Sequence, residues 1–558
     1  MSVAASTAGV AHGIGRTVDG LLARPRAVLG TLVAAQFAAT LVLALSVERN
    51  GWVWFQGGDQ IVNTTTGWLV GQRVLPPTEI SYVWPLFQTP ITWVTGPTFL
   101  QAMPAIVLFQ LLVLAPLALL CIFGIASHIG GRLLGYWAAL LWVAAPFAVI
   151  PLFVDRYHEK WIEQFLPQAL GLTAMPDFPS MALVLLAALL VLRSLGTDRL
   201  TEAALAGLVA GAAGGLKPPN YLFAVGAVLA YLVARRWTRG AVFVLALLPS
   251  VLVLTYWKEK GLGYLPAVAP DQMRVAASAA LTVDLDRYLE LDLDHWLRQM
   301  DYLREFFWSA RVAQWAPVAG LVAVLRMRHW PVAALLGGWL GAFLLIKGFS
   351  PRADIQANTF WRLLMPAWPA YLLLFASIPL LVPTAARRLG DRLAPPTHSP
   401  VRARWVGVVA VVTVLIPVVA TAAASQLEPP SPPALVQEAG TATILTPVDE
   451  SLAVTATASE SGGTVIDWTV DDEWRADVFY RIFRMDGDGP DTLCSTEQEV
   501  SWSCYLKGQV VGTTRELTFL DPSPPPEATY RVGVGTNWAD DPEQGDVFVL
   551  SPALVVDR

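Results

Sequence analysis

The stretch AVLGTLVAAQFAATLVLALSV, residues 27–47, contains no charged residue and indicates the fold class of the whole chain. A helix needs about 20 consecutive apolar residues to cross a hydrocarbon core ~30 Å thick, so this stretch is long enough for one span. Arg16, Arg24 and Arg26 precede it, and positive charge before a first span favours a cytoplasmic N-terminus. The run is longer than the apolar region of a cleavable signal. We therefore expect an uncleaved first span.

The composition extends this interpretation to most of the 558 residues. The chain is 54% hydrophobic and only 15% charged, with a mean hydropathy of +0.50. Soluble domains carry about a quarter charged residues. The 22 tryptophans suit a protein with aromatic belts at both membrane surfaces. The net charge is −6 and no basic cluster stands out, which argues against a nucleic-acid partner and leaves membrane lipid as the expected surroundings.

Further apolar runs predict a multi-pass α-helical membrane protein of about eleven spans. The pair 200–214 and 221–234 is short for a full crossing, so it is either two spans or a re-entrant hairpin. The eleven runs lie near residues 27–47, 104–126, 133–154, 178–192, 200–214, 221–234, 240–256, 312–325, 331–348, 364–382 and 405–424.

Arginine residues cluster on alternate connections, which sets the sidedness. Positive charge favours the cytoplasmic side, so the basic connections are assigned inside and the longer, charge-balanced ones outside. The inner connections hold Arg132, Arg193, Arg199, Arg235, Arg236, Arg239, Arg326, Arg328, Arg387, Arg388, Arg392, Arg402 and Arg404. The outer segments are residues 48–103, 155–177, 257–311 and 349–363, the turn Gly214–Asn220 and everything after residue 424. The expected location is an integral plasma-membrane protein acting on its outer side.

The composition changes after the last apolar run. We predict a membrane domain over residues 1–424, a proline-rich linker over 425–439, and an extracytoplasmic β-sandwich over 440–558. Short alternating runs separated by turn residues favour the sandwich. They begin at Leu452, Val465, Val478, Thr518, Thr529 and Val547. Cys494 and Cys504 lie in this domain, and we expect a disulfide between them if it is extracytoplasmic. Cys121 lies in an apolar run and is expected to be inert.

The first outer segment contains Gly57-Gly58-Asp59-Gln60, where Asp59 is the first acid after Glu48. A carboxylate near the outer membrane surface can act as a general base on a substrate at the membrane edge. A solvated turn is the alternative, because Gly-Gly-Asp is ordinary loop chemistry.

The second outer segment begins Asp155-Arg156-Tyr157-His158-Glu159-Lys160-Trp161. Its alternating charges are typical of a surface helix of weak ion pairs. The same Arg, Tyr and His can instead bind a phosphate through charge-assisted hydrogen bonds. Arg156, His158 and Glu159 are therefore site candidates. Asp177, at the start of the next apolar run, either caps that helix or belongs to the site.

Two further outer segments supply cations. Lys217 lies in Leu216-Lys217-Pro218-Pro219-Asn220 between very apolar runs. It either reaches for the interface or binds an anionic headgroup. The segment after the ninth run carries Lys347, Arg352, Asp354 and Arg362. Cations gathered at an outer lip suit a lipid-linked phosphate, although interfacial anchoring is possible for any one of them.

A metal site is the minority interpretation. Asp292, Asp294 and His295 lie close together in the loop 257–311, but adjacent positions on an amphipathic helix point in different directions. No zinc-ligand spacing, phosphate-binding Gly-rich loop or serine nucleophile motif is visible in the sequence. A divalent metal is therefore possible as a cofactor, without clear ligand spacing to support it.

Taken in order, these motifs resemble the GT-C superfamily of membrane glycosyltransferases, in particular the branch of protein O-mannosyltransferases and aminoarabinose transferases. The carrying features are Asp59 in the first outer segment, Asp177, the Lys217-Pro218 turn, and the segment Arg362–Tyr371 with its Arg-x-x-x-Pro-x-x-Pro spacing. Many members have an acidic pair in the first loop, where this chain has Asp59-Gln60. The C-terminal strands, including Trp468, resemble a fibronectin type III domain.

The resemblance implies transfer of a sugar from a polyprenyl-phosphate donor to a glycan or protein acceptor on the outer side. Asp59 would be the base, and Lys217 and Arg362 would hold the phosphate with Arg352 or Arg156. A transporter or flippase, or a non-enzymatic envelope scaffold for lipid-linked glycans, is the alternative. A transporter of this kind would carry polar or broken helices near the midplane of the membrane.

Overall fold

A computed structural model describes most of the chain. The described residues are 20–46, 58–148, 166–262, 291–306, 311–350, 362–383, 401–437, 443–459, 462–470, 478–487, 492–493, 504–536 and 546–557, apart from a few single positions within these ranges.

Fourteen helices, numbered here along the described residues, precede the strands. They are α1 Pro25–Ser46, α2 Asp59–Gly71, α3 Val83–Thr95, α4 Phe99–Ala148, α5 Leu166–Leu170, α6 Asp177–Gly196, α7 Thr201–Leu216, α8 Phe223–Val233, α9 Trp237–Leu262, α10 Leu293–Phe306, α11 Arg311–Arg326, α12 Trp330–Gly348, α13 Trp368–Ser377 and α14 Ala403–Ala423. Tight 3-10 turns at Pro218–Leu222 and Met365–Ala367 lead into α8 and α13.

The helices confirm the predicted fold class. Each of the eleven predicted apolar runs lies at least partly on a described helix. Six of the described helices are long and apolar enough to cross a membrane: α1, α4, α6, α9, α12 and α14. The apolar helices at Thr201–Leu216, Pro218–Val233 and Met365–Leu381 are shorter. Helix α7 is buried along nearly its whole length.

Helix α4 contains two of the predicted spans because its chain reverses direction in the middle. Gly130 and Gly131 leave the helical conformation, and Gly131 adopts a φ of 78°, which favours glycine. Gly135 then packs against the side chains of Ser127 and Phe123, residues that would lie a long way from it in a straight helix. The reversal lets one continuous helical segment form an antiparallel pair.

Contacts at the chain reversals define two ends of the helix array, named the inner and outer ends after the predicted sidedness. At the inner end, Arg239 at the start of α9 pairs with Asp198 after α6 at 3.2 Å. Glu202 of α7, fully buried, accepts a hydrogen bond from the Val401 backbone before α14. At the outer end, Lys260 of α9 donates to the carbonyl of Ala422 in α14.

In the described part of the first outer segment, α2 and α3 pack against each other. Buried threonine and glutamine side chains line this contact: Thr64 donates to Gln88 at 2.7 Å, and Thr89 donates to the Gly67 carbonyl at 3.0 Å. These internal hydrogen bonds join the two helices. The result is a fixed outer layer that begins at Asp59.

Twelve described strands follow the helices and form three sheets. Two are entirely antiparallel, in the orders β3-β4-β9 and β11-β10-β5-β8 with β12 also on β10; the third has the order β2-β1-β7-β6. The strands are β1 Ala434–Gln437, β2 Thr443–Thr446, β3 Val454–Ala458, β4 Thr464–Trp468, β5 Phe479–Asp486, β6 Thr492–Leu493, β7 Cys504–Leu506, β8 Gln509–Thr514, β9 Thr518–Asp521, β10 Glu527–Thr536, β11 Asp546–Leu550 and β12 Leu554–Asp557.

The six strands predicted from alternating sequence are all present, and Trp468 of β4 packs on Tyr480 of β5 with ring centroids 5.1 Å apart. The first strand begins at Ala434, inside the segment 425–439 that we predicted as linker. It joins a sheet because it pairs with β2 and with β7. The type III resemblance and the domain boundaries stay predictions.

The β region contacts the outer end of the helices directly. Thr98, just before α4, donates to Asp449 at 3.2 Å, and Phe99 meets Phe548 edge-to-face at 6.3 Å. Ser425 exchanges backbone hydrogen bonds with the segment after α2, through Arg73 and Leu75. The β region therefore lies beside the layer that carries Asp59.

Candidate functional site

Four of the predicted site residues lie together at the outer end, although they are far apart in sequence. Asp59 is the first residue of α2 and Asp177 the first residue of α6. Lys217 joins α7 to the turn before α8, and Arg362 precedes the turn before α13. Four separate chain segments thus deliver one charged group each to the same place.

Alternating ion pairs connect the four side chains. The Arg362 guanidinium donates to an Asp59 carboxylate oxygen at 2.6 Å, and its Nε lies 3.8 Å from Asp177. The Lys217 ammonium donates to the other Asp177 oxygen and to the Arg362 carbonyl, the latter at 3.2 Å. The order Asp59, Arg362, Asp177, Lys217 alternates in sign, so each charge is stabilised by its neighbours.

The exposure of the four side chains is highest at Asp59 and lowest at Asp177. The Asp59 side chain is 55% exposed, Arg362 23% and Lys217 14%, whereas Asp177 is 0% exposed. A dissolved or membrane-edge substrate can therefore reach Asp59. Asp177 is suited to holding the two cations in place instead, since a buried carboxylate needs paired cations.

The pairing also sets the protonation of the exposed groups. Burial raises the pKa of Asp59, but the Arg362 charge and its hydrogen bond outweigh that effect and hold the pKa below its usual 3.8. Burial works against the Arg362 charge, and the two aspartates overcome it and raise the pKa of that guanidinium. Asp59 is therefore a carboxylate in the physiological range.

Buried side chains fix the loop that leads into Asp177, and the sequence analysis missed them. Gln60, fully buried beside Asp59, accepts a hydrogen bond from the Ala174 backbone at 2.6 Å. The indole of Trp84 donates to the Ala174 carbonyl at 2.5 Å, and Gln110 donates to Thr173 at 2.6 Å. The available signal was the position of Gln60, where the resembled family often has a second acid.

Two glycines at the end of α7 let aromatic rings approach the turn that carries Lys217. A Cβ on Gly214 would meet the Tyr221 ring, and one on Gly215 would lie 2.6 Å from the Tyr82 ring. Only residues without a side chain allow such close packing. The two tyrosines thereby hold the end of α7 from both sides.

The other site candidates cannot be placed. Arg156, His158, Glu159 and Arg352 lie outside the described residues, as does Cys494. Cys504 lies in β7, and the Cys494–Cys504 disulfide stays a prediction. Among the metal-binding candidates, Asp292 accepts hydrogen bonds from the backbone amides of Asp294 and His295 at the start of α10. That arrangement is a helix cap.

The charged series suits an anion better than a metal. Asp59 and Asp177 are the carboxylates that could hold a divalent cation here, and each of them already faces Arg362 or Lys217. Among the described residues, no group of three or more histidine, cysteine or acidic side chains is placed to bind a metal. The arrangement offers an exposed base next to two cations, which can take up a proton and stabilise a departing anion.

Comparison with solved structures returns membrane glycosyltransferases. The oligosaccharyltransferase of Archaeoglobus fulgidus in its apo form is 11% identical over 70% of this chain and 56% of its own, with a TM-score of 0.37. The same organism's AglB in complex with an inhibitory peptide and a dolichol-phosphate is 12% identical over 71% and 56%, with a TM-score of 0.33. Arabinosyltransferase EmbB from Mycobacterium smegmatis is 12% identical over 95% and 62%, with a TM-score of 0.37.

These enzymes are GT-C glycosyltransferases, the superfamily that the sequence motifs resemble. The chain spans little more than half the length of each neighbour. TM-scores below 0.5 are too low for the likeness to carry an argument about activity, so the interpretation rests on the charged site itself. No protein-family model and no curated protein matches the chain.

Proposed function

We propose that this chain is a membrane glycosyltransferase of the GT-C type, which moves a sugar from a polyprenyl-phosphate donor to an acceptor hydroxyl at the outer membrane surface. The observation that carries the proposal is the Asp59–Arg362–Asp177–Lys217 series at the outer end of the helices. It combines an accessible carboxylate with two partly buried cations at the boundary where a lipid-linked phosphate would lie.

In the proposed reaction the acceptor oxygen attacks the anomeric carbon of the sugar while its proton passes to Asp59. The bond between that carbon and the phosphate oxygen breaks, and the electron pair leaves with the polyprenyl phosphate. Negative charge therefore grows on the phosphate as the reaction proceeds. Arg362 and Lys217 lie where they can stabilise that charge, which is how cations lower the barrier of such a step.

The exposure of the two carboxylates supports Asp59 as the base. Its side chain is 55% exposed, so an acceptor can reach it, whereas Asp177 is 0% exposed and faces both cations. Asp177 then acts as a positioning residue for Lys217 and Arg362. Arg352 and Arg156 stay proposed as additional phosphate contacts, and His158 and Glu159 as further site candidates.

The proposal includes an orientation. The N-terminus lies in the cytoplasm and the β region lies outside, next to the acceptor side of the site. The contacts of Thr98 with Asp449 and of Phe99 with Phe548 support a β region held close to Asp59, where it can guide a glycan or protein acceptor.

Transfer from a panel of labelled polyprenyl-phosphate sugars by purified protein in nanodiscs tests the proposal. Asp59→Asn is expected to lower turnover by about 10²- to 10⁴-fold, the usual contribution of a general base, while donor binding persists. Asp198→Asn is the matched control, because it removes an exposed, arginine-paired aspartate from the inner end. Undiminished turnover in Asp59→Asn would contradict the role of the base. Saturable lipid binding without turnover by the unmodified protein would favour the transporter or scaffold.

A further inference from the structure

The charges of the proposed active site compensate one another before any substrate arrives. Arg362 pairs with Asp59, and Lys217 pairs with Asp177, so two cations face two carboxylates. A donor phosphate would have to draw these cations away from their partners. A site that binds an anion well therefore needs a further positive charge that no carboxylate already neutralises.

Lys347 is placed to supply that charge. Helix α12 packs antiparallel to α8: Gly226 lies against the backbone of Leu335 and Trp339, and the Trp339 ring meets Phe223 at 5.3 Å. Lys347 lies eight residues beyond Trp339, about 12 Å along the helix at 1.5 Å per residue. On the antiparallel side, Lys217 lies six residues before Phe223, which begins α8. Both lysines therefore lie at about the same height along the α8–α12 pair.

Two independent observations agree with this register. Helix α12 contacts both the turn Pro218–Leu222, which follows Lys217, and the turn Met365–Ala367, which follows Arg362. The positive charge of Lys217 also acts unfavourably on the Lys347 ammonium group. The helix that carries Lys347 therefore packs against both turns that follow the proposed phosphate ligands.

Lys347 differs from these ligands in having no carboxylate partner among the described residues. Its side chain is half-buried near the end of α12. Within the described part of the chain, no aspartate or glutamate forms an ion pair with it, whereas Lys217 and Arg362 each have one. A partly buried cation without a counter-charge is unfavourable, and a second lysine nearby adds repulsion. An anion bound there would remove both penalties.

The end of α12 is fixed in place by α10. Trp296 of α10 donates its indole N–H to the Leu344 carbonyl at 3.3 Å, and its ring lies against Gly348. Met300 packs on the same glycine. These contacts fix the end of α12 on both sides of Lys347 in the sequence. A fixed backbone position suits a binding residue.

We propose that Lys347 is a ligand of the donor phosphate and supplies the net positive charge of the described part of the site. This inference rests on the proposed function. With Lys347 counted, the described site has the cations Lys217, Lys347 and Arg362 against Asp59 and Asp177, a net charge of +1. A phosphodiester that joins a sugar to a polyprenol carries one negative charge, so the two balance.

Binding of decaprenyl monophosphate to the full-length protein in phosphatidylcholine nanodiscs tests this assignment. Lys347→Met removes the charge and keeps the apolar stem, and we expect about ten- to a hundredfold weaker binding, the contribution of a hydrogen bond to a charged group. Lys347→Arg should restore most of the affinity. Neutral decaprenol should bind the unmodified protein and Lys347→Met equally. Weakened decaprenol binding in Lys347→Met would indicate a packing defect and overturn the assignment.

Lys260→Met is the matched control. Lys260 also lies near the outer end of a span, but it donates to the Ala422 carbonyl at 2.9 Å, away from the site. Its replacement should leave decaprenyl monophosphate binding unchanged. An equal loss in both lysine variants would overturn the assignment, because it would show a general surface-charge effect.

Competition by inorganic phosphate distinguishes a lipid-linked phosphate from a free phosphate as the ligand of Lys347. If Lys347→Met weakens both probes, or the lipid probe alone, Lys347 is a ligand of a lipid-linked phosphate. If only inorganic phosphate is weakened, the lipid-linked assignment is overturned. Unchanged binding in Lys347→Met, with tight binding by the unmodified protein, would overturn the assignment of Lys347 as a phosphate ligand and leave the proposed function intact. A failure of the unmodified protein to bind decaprenyl monophosphate would overturn both.

Discussion

Arg362 donates a hydrogen bond to Asp59 at 2.6 Å and joins two residues that are 303 positions apart in the chain. The same guanidinium is proposed to bind the donor phosphate. Donor binding and the pairing with Asp59 therefore compete for one cation. When the phosphate draws Arg362 away, the Asp59 carboxylate loses the partner that lowers its pKa and becomes a stronger base.

This competition predicts a change in the acid side of the pH profile of kcat/KM, which reports on the free enzyme. The pKa of Asp59 is held below 3.8 by Arg362 against the raising effect of burial. Asp59 in the unmodified protein should therefore stay ionised as the pH falls to about that value. In Arg362→Gln the Lys217 charge still lowers the pKa of Asp59, but the larger raising effect of burial then outweighs it, so the acid limb should move above 3.8. Transfer rates measured from about pH 3.5 to about pH 8 check this shift.

Arg239→Gln is the control for this profile. It breaks a comparable pair, with Asp198 at 3.2 Å, at the inner end. Its acid limb should match that of the unmodified protein. An unshifted limb in Arg362→Gln would mean that a group other than Asp59 governs the acid side.

The buried pair of Asp177 and Lys217 predicts strong coupling in stability. Asp177 is 0% exposed and Lys217 14%, and removing one partner of a buried pair costs about 3–5 kcal/mol because it leaves an uncompensated charge. Asp177→Asn should therefore lower the apparent melting temperature markedly. The double variant Asp177→Asn/Lys217→Met should lose less than the sum of the single variants, by a coupling energy of about 0.5–3 kcal/mol.

Thermal unfolding of detergent-solubilised protein, followed by tryptophan fluorescence without substrate, gives these values. Additive losses would show that the two side chains do not stabilise each other. The exposed pair of Arg298 and Asp292, 3.8 Å apart with 61% and 43% exposed side chains, provides the comparison. Arg298→Gln, which breaks the pair and leaves the Asp292 helix cap in place, should change the melting temperature little, since exposed pairs contribute about 0–1 kcal/mol.

The proximity of four predicted site residues agrees with the sidedness that the loop charges predict. Asp59, Asp177, Lys217 and Arg362 were predicted to share a membrane face from the positions of arginines between apolar runs. The antiparallel helices then bring those loop ends together, as the pairs between them show. The apolar runs also predicted every described helix that is long enough to span a membrane, because a run of about 20 apolar residues matches the thickness of the hydrocarbon core.

The features that the sequence did not predict depend on contacts between distant segments. Gln60 was noted only as a departure from an acidic pair, since nothing local indicates that Ala174 will lie against it. The strand at Ala434 was assigned to a linker, because its partners begin at Thr443 and Cys504. Gly215 carried no signal of its own, because the need for a glycine arises from the Tyr82 ring that packs on it.

The approach of Tyr82 to Gly215 predicts that a single methyl group displaces Lys217. In Gly215→Ala the added Cβ would lie 2.6 Å from both the Tyr82 ring and the Val83 side chain, which is too close for any contact. Overpacking of this kind costs about 1–3 kcal/mol. Because Lys217 follows two residues later, binding of decaprenyl monophosphate should weaken as well.

Gly341→Ala is the matched control, since a Cβ at that position has no neighbour within 4 Å. Alanine there should be neutral or stabilise the helix by up to about 1 kcal/mol. The melting temperature and the binding of decaprenyl monophosphate, measured on both variants, test this prediction. Equal behaviour of the two would show that the Tyr82 contact does not constrain the turn.

The hydrogen bond from the Ala174 backbone to Gln60 predicts a positioning role that separates kcat from KM. Gln60 is fully buried, and its oxygen lies 2.6 Å from the Ala174 nitrogen. Gln60→Met keeps the length of the side chain but leaves that N–H without an acceptor, at a cost of about 1–3 kcal/mol. The loop into Asp177 then shifts relative to Asp59. We expect kcat to fall by about tenfold, with KM for the donor nearly unchanged because Lys217 and Arg362 remain.

Gln88→Met is the control for Gln60. Gln88 is equally buried on the neighbouring helix α3, but it accepts from Thr64 at 2.7 Å and does not touch the loop. It should lower stability without a selective loss of kcat. Gln60→Glu, which keeps an acceptor oxygen, should recover part of the rate. If Gln60→Met and Gln88→Met lose kcat and stability in the same proportion, Gln60 is a packing residue, and the spacing of the two carboxylates is set by Trp84 and Gln110 instead.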